Sequence, residues 1–167
     1  MTDILSEPPR RGRLDVDYGF IFGPDGKSTG IAVGNACSRN SRRWTAVVTL
    51  CGQAELDNSR ANYLEVCPPP TLMVPLDESE GGAVYHFPVI LAFVHHYRRQ
   101  DRAQVLVHCD AGVARGPAVA TMLLMVDGHT EADAVAAVKR ARPPACPSPA
   151  LLREVSTYMR ARQLWDQ

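Results

Sequence analysis

The stretch Gln104-Val105-Leu106-Val107-His108-Cys109-Asp110-Ala111-Gly112-Val113-Ala114-Arg115-Gly116 decides how this chain is read. Its apolar start predicts a buried strand ending at Val107. Small residues follow, from Ala111 to Ala114, and read as a tight loop. A helix is predicted to start near Arg115 and to continue through the apolar run Pro117 to Val126. Strand, loop and helix in that order are a building block of α/β folds.

Upstream, Tyr18–Phe22 and Ile31–Val33 flank Gly23-Pro24-Asp25-Gly26 and predict a hairpin. Asn35 to Arg43 reads as a solvated loop or short helix. Thr45–Leu50 predicts a second buried strand, and Glu55–Val66 a helix. Pro68-Pro69-Pro70 forces extended chain into a further strand, Leu72–Leu76. Asp77–Gly82 is acidic and glycine-containing, hence an exposed loop. Ala83–Arg99 predicts a helix with Pro88 in its early turns or kinking it. His95 and His96 near its end are adjacent, so they point about 100° apart and read as surface residues rather than metal ligands. Downstream, Thr130 with Asp133 marks a helix start, Pro143 a stop, and Pro149 a last helix to Leu164. The expected fold is α/β: a central, mostly parallel sheet flanked by helices. Residues 1–13 are expected to form a flexible tail and 14–167 a single domain.

The loop after Val107 has the makings of an anion site. Successive backbone N–H groups in a small-residue loop can turn inward as a nest. The helix that follows adds partial positive charge at its N-terminus. Cys109 opens the loop, where those groups and Arg115 favour its thiolate. A thiolate can attack phosphorus, and the planar guanidinium of Arg115 can hold two phosphoryl oxygens. Asp77, 32 residues before Cys109 (109 − 77), is the candidate acid for the leaving oxygen and base for water. The backbone of Asp110, Ala111, Gly112, Val113 and Ala114, with Arg115, would bind phosphate. The bland alternative is a buried cysteine at a strand end with a surface arginine. It leaves the small-residue loop unexplained. No Walker A pattern occurs.

Composition narrows the remaining classes. Lys plus Arg and Asp plus Glu number 18 each in 167 residues, so bulk charge attracts neither nucleic acid nor membrane. No stretch approaches the roughly 20 apolar residues of a membrane span. Five cysteines without a CxxC pair argue against a disulfide framework or zinc site and for a reducing, cytoplasmic setting. No metal or cofactor is expected. The expected partner is a phosphoprotein substrate, and the oligomeric state is open.

The segment VLVHCDAGVARGPAVATMLLM resembles the HCxxGxxR signature of the dual-specificity branch of the protein tyrosine phosphatase superfamily. IAVGNACSRN, VVTLC and VPLDE upstream, and EADAVAAVKRARPPACPSPALLREV downstream, extend the resemblance to roughly residues 28–162. It implies metal-free phosphomonoester hydrolysis through a phosphocysteine. Cys109 is then the nucleophile, Arg115 and the 110–115 backbone the phosphate binders, and Asp77 the general acid. His108 would tune the thiolate by hydrogen bonding. The residue after the arginine is usually Ser or Thr in that family and here is Gly116. The hydroxyl that helps cysteine leave is thus missing. Cys51 ends a strand where some relatives carry a cysteine, which implies a redox partner for Cys109; a plain core cysteine is the equal alternative. Substrates implied are phosphotyrosine, with phosphoserine and phosphothreonine. A catalytically weak phosphate-binding scaffold, or an enzyme for a non-protein phosphoester such as phosphoglucan, are the alternatives. Recognition is expected in Asn35–Arg43, Asp77–Gly82 and the loops around the cradle.

Overall fold

The structure is a computed structural model that describes residues 17–41, 44–58, 68–79 and 81–165. Its strands are β1 (Tyr18–Phe22), β2 (Ser28–Gly34), β3 (Ala46–Thr49), β4 (Thr71–Met73) and β5 (Val105–His108). Its helices are α1 (Gln53–Asn58), α2 (Phe87–Arg98), α3 (Arg115–Val126), α4 (Glu131–Ala141) and α5 (Pro149–Trp165). The five strands form one sheet in the order β1-β2-β5-β3-β4. Only β1 runs antiparallel, closing the expected hairpin with β2; β2–β5, β5–β3 and β3–β4 are parallel. The expected α/β architecture is therefore present.

Strand alternation splits the core into two layers. Ile31, Val33, Ala46, Val48, Val105 and Val107 join the main cluster with Phe87, Ile90, Leu123 and Leu151 from the helices. Ala32, Val47 and Leu106 face the other way, onto Trp44, Tyr18 and Phe20. Burial on both faces explains why the central strands read as unbroken apolar runs.

Local differences from the sequence reading have physical reasons. Ala83–Tyr85 is a short 3-10 turn, and α2 begins separately at Phe87. Pro88 sits in its first turn, where the missing N–H costs nothing, so it starts the helix and does not kink it. Residues 35–40 are not a solvated segment. Asn35 caps a 3-10 helix, Ala36–Asn40, and Asn35, Ser38 and Arg39 are buried. Ser38 bonds Asn35 and the Asp17 carbonyl, and Trp44 donates to the Ser38 carbonyl. Polar composition here serves internal hydrogen bonds. The helix expected over 55–66 starts at Gln53, and its part beyond Asn58 lies outside the described residues. Thr130 caps α4 as expected, its hydroxyl accepting from the Asp133 N–H.

Candidate active site

The parallel strands β5 and β3 end side by side, and the chain just beyond β4 ends with them. Leu50 N–H donates to the His108 carbonyl, Val74 N–H to Thr49, and Leu76 N–H to Leu50. The carboxyl ends of β3 and β5 and the loop after β4 thus meet at one edge, the place where open α/β sheets present ligand sites. Cys109, Asp77, Arg115 and Gly52 all lie at this edge.

The loop from Cys109 to Ala114 is held from outside by its carbonyls. The Cys109 carbonyl accepts from His108 Nδ1–H at 3.0 Å. That of Asp110 accepts from Ala36 N–H at 2.8 Å. Ala111 accepts from Arg142 Nη2–H at 3.0 Å. Val113 accepts from Cys146 N–H at 2.8 Å, and Ala114 from Ala118 and Ser148 N–H groups. In a planar trans peptide the carbonyl of one residue and the N–H of the next point in opposite directions. Tying these carbonyls outward turns the N–H groups of 110, 111, 112, 114 and 115 inward. Among the described residues, no protein acceptor meets them. The N-terminus of α3 opens at the same point. The result is a concave nest of donors above Cys109.

Gly112 is indispensable to that shape. Its φ is +68°, and a Cβ there would meet the Gly34 carbonyl oxygen at 2.5 Å. The loop leans directly on the end of β2. Gly116 is different. A Cβ at that position would meet its nearest atoms, among them Cys109 N, at 3.5 Å, which is ordinary contact.

His108 is fully buried and held as a single tautomer. A carbonyl can only accept, so Nδ1 carries the proton given to Cys109 O. Nε2 then accepts from the Thr49 hydroxyl at 2.9 Å. Burial drives its pKa down from 6.5 to about 3, so the ring is neutral. Cys51 is buried, and its thiol is pushed up to about 12 by that burial and by Glu55. Cys109 is 2% exposed, at the floor of the site.

Arg115 is positioned by a residue the sequence reading did not single out. Glu55 Oε1 accepts from Nη2 at 2.5 Å and Glu55 Oε2 from Nη1 at 3.1 Å. Nη1 also faces the carbonyls of Leu50 and Leu76, each at 3.3 Å. Glu55 is itself held by the Gly52 N–H. Its hydrogen bond to Arg115 lowers the carboxyl pKa, and Glu55 in turn raises that of the guanidinium. The signal was present as Gly52-x-x-Glu55, a helix-start spacing with the carboxylate reaching back to the cap. Arg142, 3% exposed, was also passed over; its Nη2 joins the Ala111 carbonyl to the Asp17 carboxylate.

Asp77 lines an open cleft of about 480 Å³ with Gly52, Glu55, Pro75, Leu76, Glu78 and Arg115. Its Oδ1 accepts from the N–H and hydroxyl of Ser79, both at 2.7 Å. It therefore shares the cleft with Arg115, as the strand order implied, but is turned onto its own loop. The described part of 35–43 holds the cradle through Ala36 and is mostly buried, unlike the recognition surface expected there. No group of three or more metal-binding side chains occurs among the described residues, and no described helix is long and apolar enough to cross a membrane.

Comparison with known proteins places this geometry in context. The model of the dual specificity phosphatase catalytic domain matches residues 54–161. Dual specificity protein phosphatase 19 of Mus musculus is 37% identical over 84 residues, which are 50% of this chain and 38% of that protein. The alignment thus spans well under half of that relative. Human DUSP28 superposes with a TM-score of 0.69 at 25% identity, covering 81% of this chain and 95% of that one. The human tyrosine phosphatase-like serine/threonine/tyrosine-interacting protein superposes at 0.68 and 20% identity, covering 80% and 93%, a likeness of fold alone.

Proposed function

The chain belongs to the dual specificity phosphatase catalytic-domain family, and from that premise we propose that it hydrolyses phosphomonoesters through a phosphocysteine on Cys109. Phosphotyrosine in proteins is the expected substrate, with phosphoserine and phosphothreonine as further ones. The observation that carries this reading is the ring of outward-tied carbonyls, which leaves inward N–H groups around the Cys109 position.

The steps follow from the donors at hand. The phosphoryl oxygens bind the 110–115 N–H groups and Arg115. The Cys109 thiolate forms a bond to phosphorus while the ester oxygen leaves and takes a proton from Asp77. Water then attacks the phosphocysteine, giving its proton to Asp77, and the cysteine departs as thiolate. For the first step Asp77 must turn from Ser79 toward the leaving oxygen. His108 fixes the Cys109 carbonyl from behind, which orients the loop without adding charge.

Donor counting supports the assignment of Arg115. Its guanidinium has five N–H donors. Glu55 and two backbone carbonyls engage Nη1 and one side of Nη2. Nε–H makes no hydrogen bond. Nε–H and the second Nη2–H form the planar fork that suits two phosphoryl oxygens.

Cys51 is proposed as the resolving thiol for an oxidised Cys109. Peroxide would take Cys109 to the sulfenic acid, and the Cys51 thiol would displace water to give a disulfide. Intact mass after mild peroxide should show a bridged species; accumulation of sulfinic acid without a bridge would overturn this.

The direct assay is hydrolysis of a small aryl phosphate by wild type and Cys109→Ser. Turnover confined to the wild type is expected. Equal rates, or none in either protein, would refute the proposal.

A further inference from the structure

The open fork of Arg115 is not bare. Glu78 Oε1 stands 3.6 Å from Nε, an ion pair beyond hydrogen-bond length. Among the described residues Glu78 has no other hydrogen-bond or ion-pair partner, and its side chain is 49% exposed. It is therefore an anion resting over the donors that substrate phosphate needs, on a side chain free to swing out. Glu55 faces the opposite edge of the same guanidinium and is pinned by Gly52. The two carboxylates consequently have opposite effects: Glu55 aims the fork, and Glu78 competes for it.

The surrounding charge indicates what Glu78 meets once displaced. Arg115 is the only cation among the residues lining the described cleft, while Glu55, Asp77 and Glu78 are acidic. Arriving phosphate replaces Glu78 at Nε, and the released carboxylate then sits beside the bound substrate. A positive group on that substrate finds a partner there, and a negative one finds repulsion.

We propose that Glu78 is a specificity-determining residue that covers Arg115 in the empty site and, when displaced by phosphate, selects phosphopeptides with a basic residue next to the phosphorylated side chain. This rests on the phosphatase reading above and adds a substrate class to it.

The test uses two phosphotyrosine peptides that differ only in having lysine or glutamate beside the phosphotyrosine. The wild type should favour the lysine peptide in kcat/KM by about fivefold, the scale of one partly exposed charge pair. Glu78→Gln should bring the ratio to about one, and Glu78→Lys should invert it. Inorganic phosphate should inhibit Glu78→Gln at lower concentration than wild type, since its internal competitor is gone. A ratio unchanged by both variants, or weaker phosphate inhibition of Glu78→Gln, would overturn the proposal. Peptide binding to Cys109→Ser, with and without Glu78→Gln, is measured by calorimetry in parallel. That arm needs no turnover. If wild type fails to hydrolyse either peptide, the phosphatase reading falls, and loss of the lysine preference on Glu78→Gln still decides the role of Glu78.

Discussion

Two residues of the site have consequences that can be separated from the rest. Gly116 replaces the hydroxyl that usually follows the arginine in this family, and the structure leaves ordinary contact distance for a Cβ there. Gly116→Ser is therefore expected to fold normally and to speed phosphocysteine breakdown. Rapid-mixing kinetics should show a burst in wild type that is reduced in the variant, with faster steady turnover. A burst and turnover unchanged by the substitution would remove Gly116 from the slow step. His108 has a different signature. It stays neutral in the folded chain down to about pH 3, whereas the unfolded chain takes up a proton near 6.5. Between those values the unfolded state holds more protons, so stability falls as pH falls. The slope from this residue is at most about 1.4 kcal/mol per pH unit. Urea unfolding from pH 7 to pH 5 should show that loss in wild type and a flatter profile in His108→Gln.

Among the elements, β5, the loop and α3 were legible because each has its own local signature: a β-branched run, small residues with one glycine, then a long apolar run. The frame around the loop was not legible. Ala36, Arg142 and Cys146 reach the cradle from distant parts of the chain, and no local pattern announces a tertiary hydrogen bond. Glu55 was hidden for the same reason, although its spacing from Gly52 was visible. The short helix that was one reading of 35–43 is present as Ala36–Asn40, but its burial was not foreseen, because polar residues there bond one another inside the protein and composition alone does not distinguish that from solvation. The loop's dependence on its neighbours gives an element-scale prediction. Gly112→Ala would drive a Cβ into the Gly34 carbonyl and displace the donors. Activity should fall by at least about hundredfold, the usual cost of misplacing a reacting group by an ångström. Far-UV circular dichroism should remain near wild type. Retained activity would show that the nest is not what binds phosphate.

At the scale of the molecule, the sheet order carries three site segments to one edge, and the helices bury one face of the same strands. This order was not legible in the sequence, because periodicity identifies strands without saying which are neighbours. The first of the described residues also matters to the site. Asp17 pairs with Arg142 at 2.9 Å, and its carbonyl accepts from Asn35 N–H. Deleting residues 1–13, the proposed tail, should shift the melting temperature by less than about 3 °C. Deleting residues 1–17 leaves the buried Arg142 guanidinium without its carboxylate and should cost about 2 kcal/mol or more. Equal melting temperatures for the two deletions would argue against Arg142 as a brace of the cradle. The central claim is that phosphate is transferred to Cys109 in the nest. Rapid acid quench during aryl phosphate turnover, followed by peptide mass analysis, tests it most directly. The peptide containing Cys109 should carry one phosphoryl group in wild type and none in Cys109→Ser. A phosphoryl group found elsewhere, or turnover continuing in Cys109→Ser, would contradict the account.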